Sequence, residues 1–387
     1  MGRHSRIGGA VALAAALALS GCSSDGGDGD GDAPRPDGSG TSRSATGGSG
    51  SATAAPAKGS VKVVRTLATG LKSPWGLARL SGGDLLVASR DSGTVQRVDA
   101  GSGATTPLGT VPGVAAGGEG GLLGLAVPPD SDRMVYAYLT TESDNRIVRM
   151  LYDPKKPEGE QLGAPDVLLK GIPKGAIHNG GRIAFGPDKM LYAGTGESGT
   201  RGLSQDKDSL GGKILRMTPD GEPPGQGNPE RDSVVYSYGH RNVQGLDWDR
   251  DKRLWASEFG QDTWDELNLI EPGKNYGWPE AEGKGGGGGF TDPVEQWRPA
   301  DASPSGLAVA RGSVWMAGLR GERLWRVPLR GAEPAAEPQA FLEGKYGRLR
   351  TVVSDGTGSG LWLVTSETDS RGTPGKRDDR ILRLKVE

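Results

Sequence analysis

Two histidines stand in loops whose neighbouring residues could support acid–base chemistry. His178 lies in Ile177-His-Asn-Gly-Gly-Arg182 and His240 lies in Tyr238-Gly-His-Arg-Asn242, whereas the third histidine is His4. Imidazole titrates near neutral pH and is the side chain that most often acts as a general base. An isolated histidine is more often structural than catalytic. Two of them in corresponding loops, each close to an arginine and an asparagine, leave both interpretations open.

Other charged residues occupy corresponding loop positions. They are Glu119, Glu197, the stretch 258–262, Arg320, Arg348 and Arg350. Each of them could be a solvated loop charge, but that interpretation weakens if all of the loops converge on one mouth. The segment Gly194-Thr-Gly-Glu-Ser-Gly199 matches a dinucleotide-binding fingerprint. No apolar helix follows it to hold a pyrophosphate, so we do not predict nucleotide binding.

The segments that must position these loops form a repeat. From Ser60 to Glu387 a Gly-rich loop is followed by a short apolar strand, a turn, an aromatic-rich second strand and a third strand with an Arg-apolar pattern. First strands begin near Trp75, Leu123, Gly181, Gln244, Ser305 and Leu349. Short strands with period-2 alternation and a repeat of roughly 44–63 residues predict an all-β fold, a six-bladed β-propeller.

One apolar strand precedes the first repeat. This strand, Val61–Leu67, is predicted to complete the last blade and so to close the ring, which leaves no open sheet edge. In propellers the loops at one end of the central channel carry the functional site, while the strands hold the blades together.

Composition agrees with this fold and disfavours some functions. The chain has 67 Gly and 26 Pro in 387 residues, which suits many turns and few long helices. Lys and Arg number 46 against 48 Asp and Glu, for a net charge of −2. This balance gives no electrostatic case for a nucleic-acid partner.

The N-terminal region predicts export. Residues 1–21 combine a basic start, an apolar run and small residues, as in a signal peptide. Leu19-Ser-Gly-Cys22 resembles a bacterial lipobox, which implies a lipidated Cys22; ordinary secretory cleavage that leaves a thiol is the alternative. Residues 22–59 are predicted to be a flexible linker and 60–387 the propeller. We therefore expect an extracytoplasmic protein anchored to the membrane by lipid, without disulfides because Cys22 is the only cysteine.

Several ordered motifs resemble the soluble quinoprotein glucose/sorbosone dehydrogenase family, also called aldose sugar dehydrogenases. The resemblance extends from about Val63 to Val386. Its motifs are Gly118-Glu-Gly-Gly-Leu-Leu-Gly124, His178–Arg182, Tyr238–Gly245, Asp265–Ile270 with Asn275-Tyr-Gly-Trp-Pro279, and Ser303-Pro-Ser-Gly306. It implies a six-bladed propeller that uses pyrroloquinoline quinone (PQQ) and calcium to oxidise an aldose.

The resemblance also implies roles for individual residues. His178 would take the proton of the anomeric hydroxyl while a hydride passes to the quinone, and Arg241 would polarise the quinone oxygen. The remaining cofactor contacts it implies are Asn242, Arg320, Arg348, Arg350 and Trp297.

The same resemblance implies two calcium sites. Backbone oxygens of Gly260 and Gln261 would bind the cofactor's calcium, and Glu266 with the Tyr276 carbonyl resembles part of a second, structural site.

Departures from the family pattern affect the substrate side. Glu119 and Glu197, which we predict to face the substrate, stand where glucose-oxidising members have Gln, and Ile177 stands where they have Asp. Glucose is therefore not assumed. The predicted function is oxidation of an aldose at C1 to the lactone, with electrons leaving to an unidentified acceptor. The alternative is a non-catalytic surface propeller that binds carbohydrate or protein, because propellers host many functions.

Overall fold

Six antiparallel sheets surround a central channel in the computed structural model, which describes residues 54–387. The N-terminal strand is β1 (Val61–Thr69). Blade 1 contains β2 (Pro74–Arg79), β3 (Leu85–Ser89), β4 (Thr94–Val98) and β5 (Thr105–Thr110). Blade 2 contains β6 (Leu122–Ala126), β7 (Met134–Thr140), β8 (Asn145–Leu151) and β9 (Asp166–Ile172). Blade 3 contains β10 (Ile183–Phe185), β11 (Leu191–Gly194), a 3-10 helix (Arg201–Ser204), β12 (Lys213–Met217) and β13 (Val235–Tyr238).

The second half of the ring repeats this order. Blade 4 contains β14 (Val243–Trp248), β15 (Leu254–Glu258), β16 (Asp265–Ile270) and β17 (Glu295–Trp297). Blade 5 contains β18 (Pro304–Ala310), β19 (Ser313–Gly318), β20 (Leu324–Arg330), β21 (Glu333–Pro334) and β22 (Gln339–Phe341). Blade 6 contains β23 (Leu349–Ser354), β24 (Gly360–Thr365) and β25 (Arg380–Val386). The predicted six-bladed β-propeller is confirmed.

The ring is closed by the N-terminal strand, as the sequence predicts. Strand β1 pairs antiparallel with β25, from Val61 opposite Val386 to Thr69 opposite Arg380. The sixth sheet therefore runs β23-β24-β25-β1 from the channel outwards, and it combines both ends of the propeller. Its closing strand is supplied from the other end of the domain, so no blade is left with only three strands.

The hydrophobic core of the described residues consists of six clusters, each formed mainly where two neighbouring blades face each other. Leu67, Leu85 and Val98 pack with Trp362 and Ile381 between blades 6 and 1, for example. Strands inside the ring are covered on both faces, which is why β3 is buried along its whole length and is apolar up to its final serine. Packing between blades therefore holds the ring together and fixes the ends of the strands from which the loops emerge.

The last residues of the predicted linker already contact the propeller before Ser60. The backbone N–H of Ala55 donates to the carbonyl of Leu329 at 2.9 Å, and Arg326 donates to the carbonyl of Pro56 at 2.7 Å. Ordered contacts with blade 5 thus begin before the predicted boundary at Ser60. The predicted signal peptide, Cys22 and most of the linker lie outside the described residues. Within residues 54–387 no helix is long and apolar enough to span a membrane.

Glycines in the first strands allow the innermost strands to approach closely. A Cβ atom on Gly76 would lie 2.4 Å from the carbonyl oxygen of Leu123, and one on Gly124 would lie 2.2 Å from that of Gly181. Real Cβ atoms do not come this close to backbone, so these positions exclude any side chain. The glycine that recurs at the start of the sequence repeat is therefore a packing requirement at the channel.

We expect Gly124→Ala to destabilise the fold by about 1–3 kcal/mol, the usual range for overpacking. The added methyl group would meet backbone of the next blade rather than a movable side chain. Gly82→Ala is the matched control, because a Cβ atom there meets nothing within 4 Å. Urea unfolding measures both variants, and equal midpoints would contradict the packing argument.

Candidate active site

Loops at one end of the channel line a cavity of about 310 Å³. They are the loops that precede the first strands and those that join second to third strands. The predicted site residues that line the cavity are Glu119, His178, Arg241, Asn242, Gly260, Gln261, Arg320, Arg348 and Arg350. The structure therefore brings together residues from loops that are far apart in sequence.

His178 is held from both its backbone and its ring. Its backbone has a φ of 55°, and its N–H donates to Oε2 of Glu119 at 2.8 Å. Its Nδ1 is hydrogen-bonded to a carboxylate oxygen of Glu197, which lies in the loop after β11. Because a carboxylate accepts, Nδ1 carries the proton, and Nε2 is the ring nitrogen that can take up another proton.

Glu197 lies behind His178 rather than on the cavity surface. Its side chain is only 1% exposed, whereas that of His178 is 12% exposed. The N–H of Glu197 donates to the carbonyl of Arg241 at 2.9 Å, which joins the loops of two blades. The burial of Glu197 argues against the predicted contact with the substrate. Its carboxylate is placed to position the imidazole of His178.

His240 occupies a different environment from His178. It is fully buried, with Nδ1 2.7 Å from Oε2 of Glu258 and Nε2 2.8 Å from Oγ of Ser237. Its ring stacks on Tyr276, with centroids 4.6 Å apart. Both ring nitrogens are occupied within the protein, so His240 is structural. Of the two histidines in residues 54–387, only His178 reaches the cavity.

Arg241 extends from the same loop into the cavity wall. Its Nη1 donates to the carbonyl of Phe259 at 3.3 Å, and its Nε is buried without a hydrogen-bond partner. The guanidinium lies 5.4 Å from the Trp278 ring. Burial lowers the pKa of Arg241, while the carboxylates of Glu197 and Glu258 act in the opposite direction. A buried cation with an unused donor is suited to bind a polar atom of a ligand.

Two arginines of blade 6 share one carboxylate. Oδ2 of Asp369 lies 3.1 Å from Nη2 of Arg348 and 2.8 Å from Nη2 of Arg350, and Nε of Arg348 is buried without a partner. Burial alone would raise the pKa of Asp369, but the charges of Arg350 and Arg348 hold it well below its usual range. One ionised carboxylate between two guanidiniums leaves one positive charge uncompensated.

The cavity as a whole is positively charged. Six arginines line it, together with three carboxylates, those of Glu119, Asp265 and Asp369. Burial raises the pKa of Asp265 to about 7, which reduces the negative charge further. A cavity with an excess of guanidinium groups and unused buried donors fits an anionic ligand with several acceptor groups.

Gly260 and Gln261 present backbone to the cavity. The N–H of Gly260 donates to Oδ1 of Asp265 at 2.9 Å, and that of Gln261 donates to Oε1 of Glu282 at 2.6 Å. Among the hydrogen bonds of residues 54–387, none is accepted by either carbonyl. Their oxygens therefore remain as ligands for a hard cation, which prefers oxygen.

Glu266 and Tyr276, the predicted second calcium site, are buried outside the cavity. Glu266 accepts from the N–H of Gly283 at 2.7 Å and from Nδ2 of Asn268 at 3.0 Å. Burial and the neighbouring Glu258 raise the pKa of Glu266 to about 8. Oδ1 of Asn268 is buried without a partner, which is compatible with a cation there. No cluster of three or more His, Cys, Asp or Glu suited to a metal occurs within the described part of the chain.

Trp297 does not line the cavity. It lies at the end of β17 in the apolar core between blades 4 and 5, where its ring centroid is 5.6 Å from that of Trp325. This placement argues against the predicted cofactor contact. The indole packs where strand position directs it, and the cofactor contact by Trp297 stays a prediction.

Other lining residues are not singled out by the sequence motifs. They include Trp75, Arg90, Asp369 and Arg371. Asp369 and Arg371 follow the second strand of blade 6, in the position that Glu197 and Gly260 occupy in their own blades. Aligning the loops after every second strand, as well as those before every first strand, would have found both.

The fold and the cavity define a propeller that holds a small-molecule site at the mouth of its channel. Residues 71–375 match the glucose/sorbosone dehydrogenase family model. The chain therefore belongs to the glucose/sorbosone dehydrogenase family, and the predicted resemblance is confirmed.

Related proteins agree with this assignment. The PQQ-bound form of aldose sugar dehydrogenase from Streptomyces coelicolor is 74% identical, with a TM-score of 0.85 over 86% of this chain and 100% of that one. A putative oxidoreductase (glucose dehydrogenase) from Thermus thermophilus is 41% identical, with a TM-score of 0.75 over 84% of this chain and 100% of that one. The aldose sugar dehydrogenase of Escherichia coli is 33% identical over 59% of this chain and 63% of its own length.

Proposed function

We propose that this protein oxidises an aldose at C1 to the lactone, using PQQ and calcium. The observation that carries the proposal is the His178–Glu197 pair at an arginine-lined cavity. The proposal is also supported by the 74% identical aldose sugar dehydrogenase from Streptomyces coelicolor, whose structure is of a PQQ-bound form. No particular sugar is proposed.

The cavity residues fit PQQ, which is a planar ortho-quinone with three carboxylates. Arg348 and Arg350 would hold carboxylates, and the unpartnered Nε of Arg348 is available for this purpose. Exposed Arg320 would reach the cofactor from blade 5, while Arg241 and Asn242 would face the quinone oxygens. When bound, PQQ supplies an electrophilic quinone that can accept a hydride from C1 of the sugar.

His178 is the proposed general base. Its Nε2 takes the proton of the C1 hydroxyl as the C1–H bond breaks, so that the C1–O bond gains double-bond character. Glu197 keeps the second ring proton on Nδ1 and stabilises the imidazolium that forms. Arg241 is placed to stabilise negative charge that develops on the opposite side of the cavity. The proton then leaves to solvent through the open mouth.

Calcium has two proposed positions. The carbonyl oxygens of Gly260 and Gln261 would bind the ion beside the cofactor, where it acts as a Lewis acid. Glu266 and the Tyr276 carbonyl would bind a structural ion, for which the unpartnered Oδ1 of Asn268 offers a further oxygen.

The substrate would lie between His178 and Glu119, both of which line the cavity. Ile177 stands beside the base and is 40% exposed, which gives this side of the mouth an apolar surface. An apolar residue accepts no hydrogen bond, so fewer sugar hydroxyls are fixed here than an Asp would fix.

We further propose that the enzyme works outside the cytoplasm, held at the membrane by a lipid on Cys22. The lipobox-like segment supports this location. The net charge of −2 gives no support for a nucleic-acid partner, and none is proposed. Electrons would leave the reduced cofactor to an acceptor whose identity the residues do not specify.

The test uses the whole purified protein after removal of metal by a chelator. We expect calorimetric binding of PQQ in the presence of calcium, dye reduction with at least one aldose, and a reduced-quinone absorption band on addition of that sugar. Omission of either PQQ or calcium should abolish turnover. Absence of PQQ binding, together with no turnover across a broad aldose panel, would overturn the proposal and favour a non-catalytic propeller.

A further inference from the structure

An ion pair stands at the mouth of the cavity next to His178. Nη2 of Arg371 lies 2.8 Å from Oε1 of Glu119, and the other carboxylate oxygen of Glu119 accepts the N–H of His178 at 2.8 Å. All three residues line the same cavity. A substrate whose C1 hydroxyl reaches His178 must therefore lie beside this pair.

The pair is accessible and is held in place by the fold. The side chain of Arg371 is 58% exposed and that of Glu119 is 22% exposed. The N–H of Arg371 donates to Oδ1 of Asp369 at 3.0 Å, and the other oxygen of Asp369 is bound by Arg348 and Arg350. The loop between β24 and β25 thus positions Arg371 across the mouth from blade 6, towards the loop that precedes blade 2.

The other charged groups around the cavity have different partners. Arg90 is almost fully buried and pairs with Asp91 at 2.6 Å. Arg348 and Arg350 share Asp369. Arg320 is exposed on the opposite side, in the loop between β19 and β20. Arg241, the remaining lining arginine, is assigned to the cofactor under the proposed function. The charges left at the mouth beside His178 are therefore those of Glu119 and Arg371, which cancel while both are present.

We propose that the Glu119–Arg371 pair determines the charge preference of the substrate site and selects neutral aldoses over aldoses that carry a carboxylate, such as uronic acids. This inference rests on the proposed function. With both partners present, the pair can donate to and accept from sugar hydroxyls, but it offers no net charge to offset a desolvated carboxylate. Removal of one partner leaves a whole charge beside the substrate, and its sign depends on which partner was removed.

The experiment compares kcat/KM for a neutral aldose and for the matching uronic acid in holoenzyme loaded with PQQ and calcium. Glu119→Gln leaves Arg371 uncompensated, and we expect the uronic acid to gain about tenfold relative to the neutral sugar. Arg371→Gln leaves Glu119 uncompensated, and we expect the uronic acid to lose about tenfold. A shift of about tenfold is what one partly exposed charge close to a charged ligand contributes. Because salt screens such charges, both shifts should be smaller at high salt.

Two controls separate charge from damage to the site. The double variant Glu119→Gln/Arg371→Gln should return the ratio to within about twofold of that of the wild type. Arg377→Gln removes an exposed arginine of the same loop that does not line the cavity, and it should leave the ratio unchanged. The calorimetric dissociation constant of PQQ should stay within about threefold in all four variants.

Ratios that stay constant in both single variants, or that shift in the same direction, would overturn the inference. A wild-type protein that turns over no aldose would instead overturn the proposed function. The two failures are thus distinguishable, since the first requires measurable turnover.

Discussion

Replacing His178 by alanine is expected to lower kcat for aldose oxidation by about 10²–10⁴-fold, the usual contribution of a general base. In the proposed mechanism the imidazole takes the C1 hydroxyl proton on Nε2, because its Nδ1 is already bound to Glu197. The predicted cofactor contacts come from other loops, so the dissociation constant of PQQ should stay within about threefold. Stopped-flow reduction of bound PQQ and calorimetry measure the two quantities separately.

A companion variant distinguishes the base from its support. Glu197→Gln should lower kcat by a smaller factor, about tenfold or more, because a glutamine amide does not fix the proton on Nδ1. With C1-deuterated sugar, the isotope effect on cofactor reduction should be at least as large in this variant as in the wild type. If His178→Ala instead lost PQQ affinity and kept the wild-type rate of cofactor reduction, the role assigned to His178 would be contradicted.

The strands could be predicted from sequence because their signals are local. Alternating apolar residues and recurrent turns mark each strand, and Val61–Thr69 has no partner in the first repeat, so it is available to close the ring. Gly76 and Gly124 recur because adjacent first strands leave no space for a side chain. Each of these features depends on short range or on a regular repeat, which a sequence displays directly.

The site was only partly predictable because its pairings join residues of separate loops, within one blade or between blades. His178 and His240 have similar local sequences, yet only His178 reaches the cavity, while Glu258 and Ser237 occupy both nitrogens of His240. The burial of Glu197 and the contact between Glu119 and Arg371 likewise depend on how loops from different blades converge. No spacing rule contains this information.

Replacing Arg350 by glutamine is expected to weaken PQQ binding by about 10²–10³-fold. Arg350 is buried at the cavity, where it donates to Asp369 at 2.8 Å and to Ser366 at 2.9 Å. Removal of Arg350 takes away one cation that attracts the anionic cofactor. It also leaves the carboxylate of Asp369 less neutralised, and this carboxylate then repels the cofactor. Truncation of one partner of a buried charge pair commonly costs about 2–5 kcal/mol, or roughly 30- to 5,000-fold, and the expected loss lies within this range.

Two comparisons identify the source of that loss. Arg320→Gln removes an exposed arginine of the same cavity without leaving a carboxylate behind, and it should weaken binding by about tenfold at most. Arg350→Gln/Asp369→Asn removes both charges and should regain part of the affinity that Arg350→Gln loses. If the double variant binds PQQ no better than the single variant, repulsion by Asp369 is not part of the effect.

The ion pair between Arg350 and Asp369 also makes the stability of the fold depend on pH. Because the Arg350 and Arg348 charges lower the pKa of Asp369 in the folded state, the stabilisation is fully present above the unfolded value of about 3.9 and is lost as the pH falls through the folded value. The difference in unfolding free energy between wild type and Arg350→Gln should thus be largest near neutral pH and narrow below about pH 4. A difference that does not change with pH would assign the loss of stability to packing instead. PQQ affinity measured at the same pH values then shows whether the charge that stabilises the fold is also the charge that binds the cofactor.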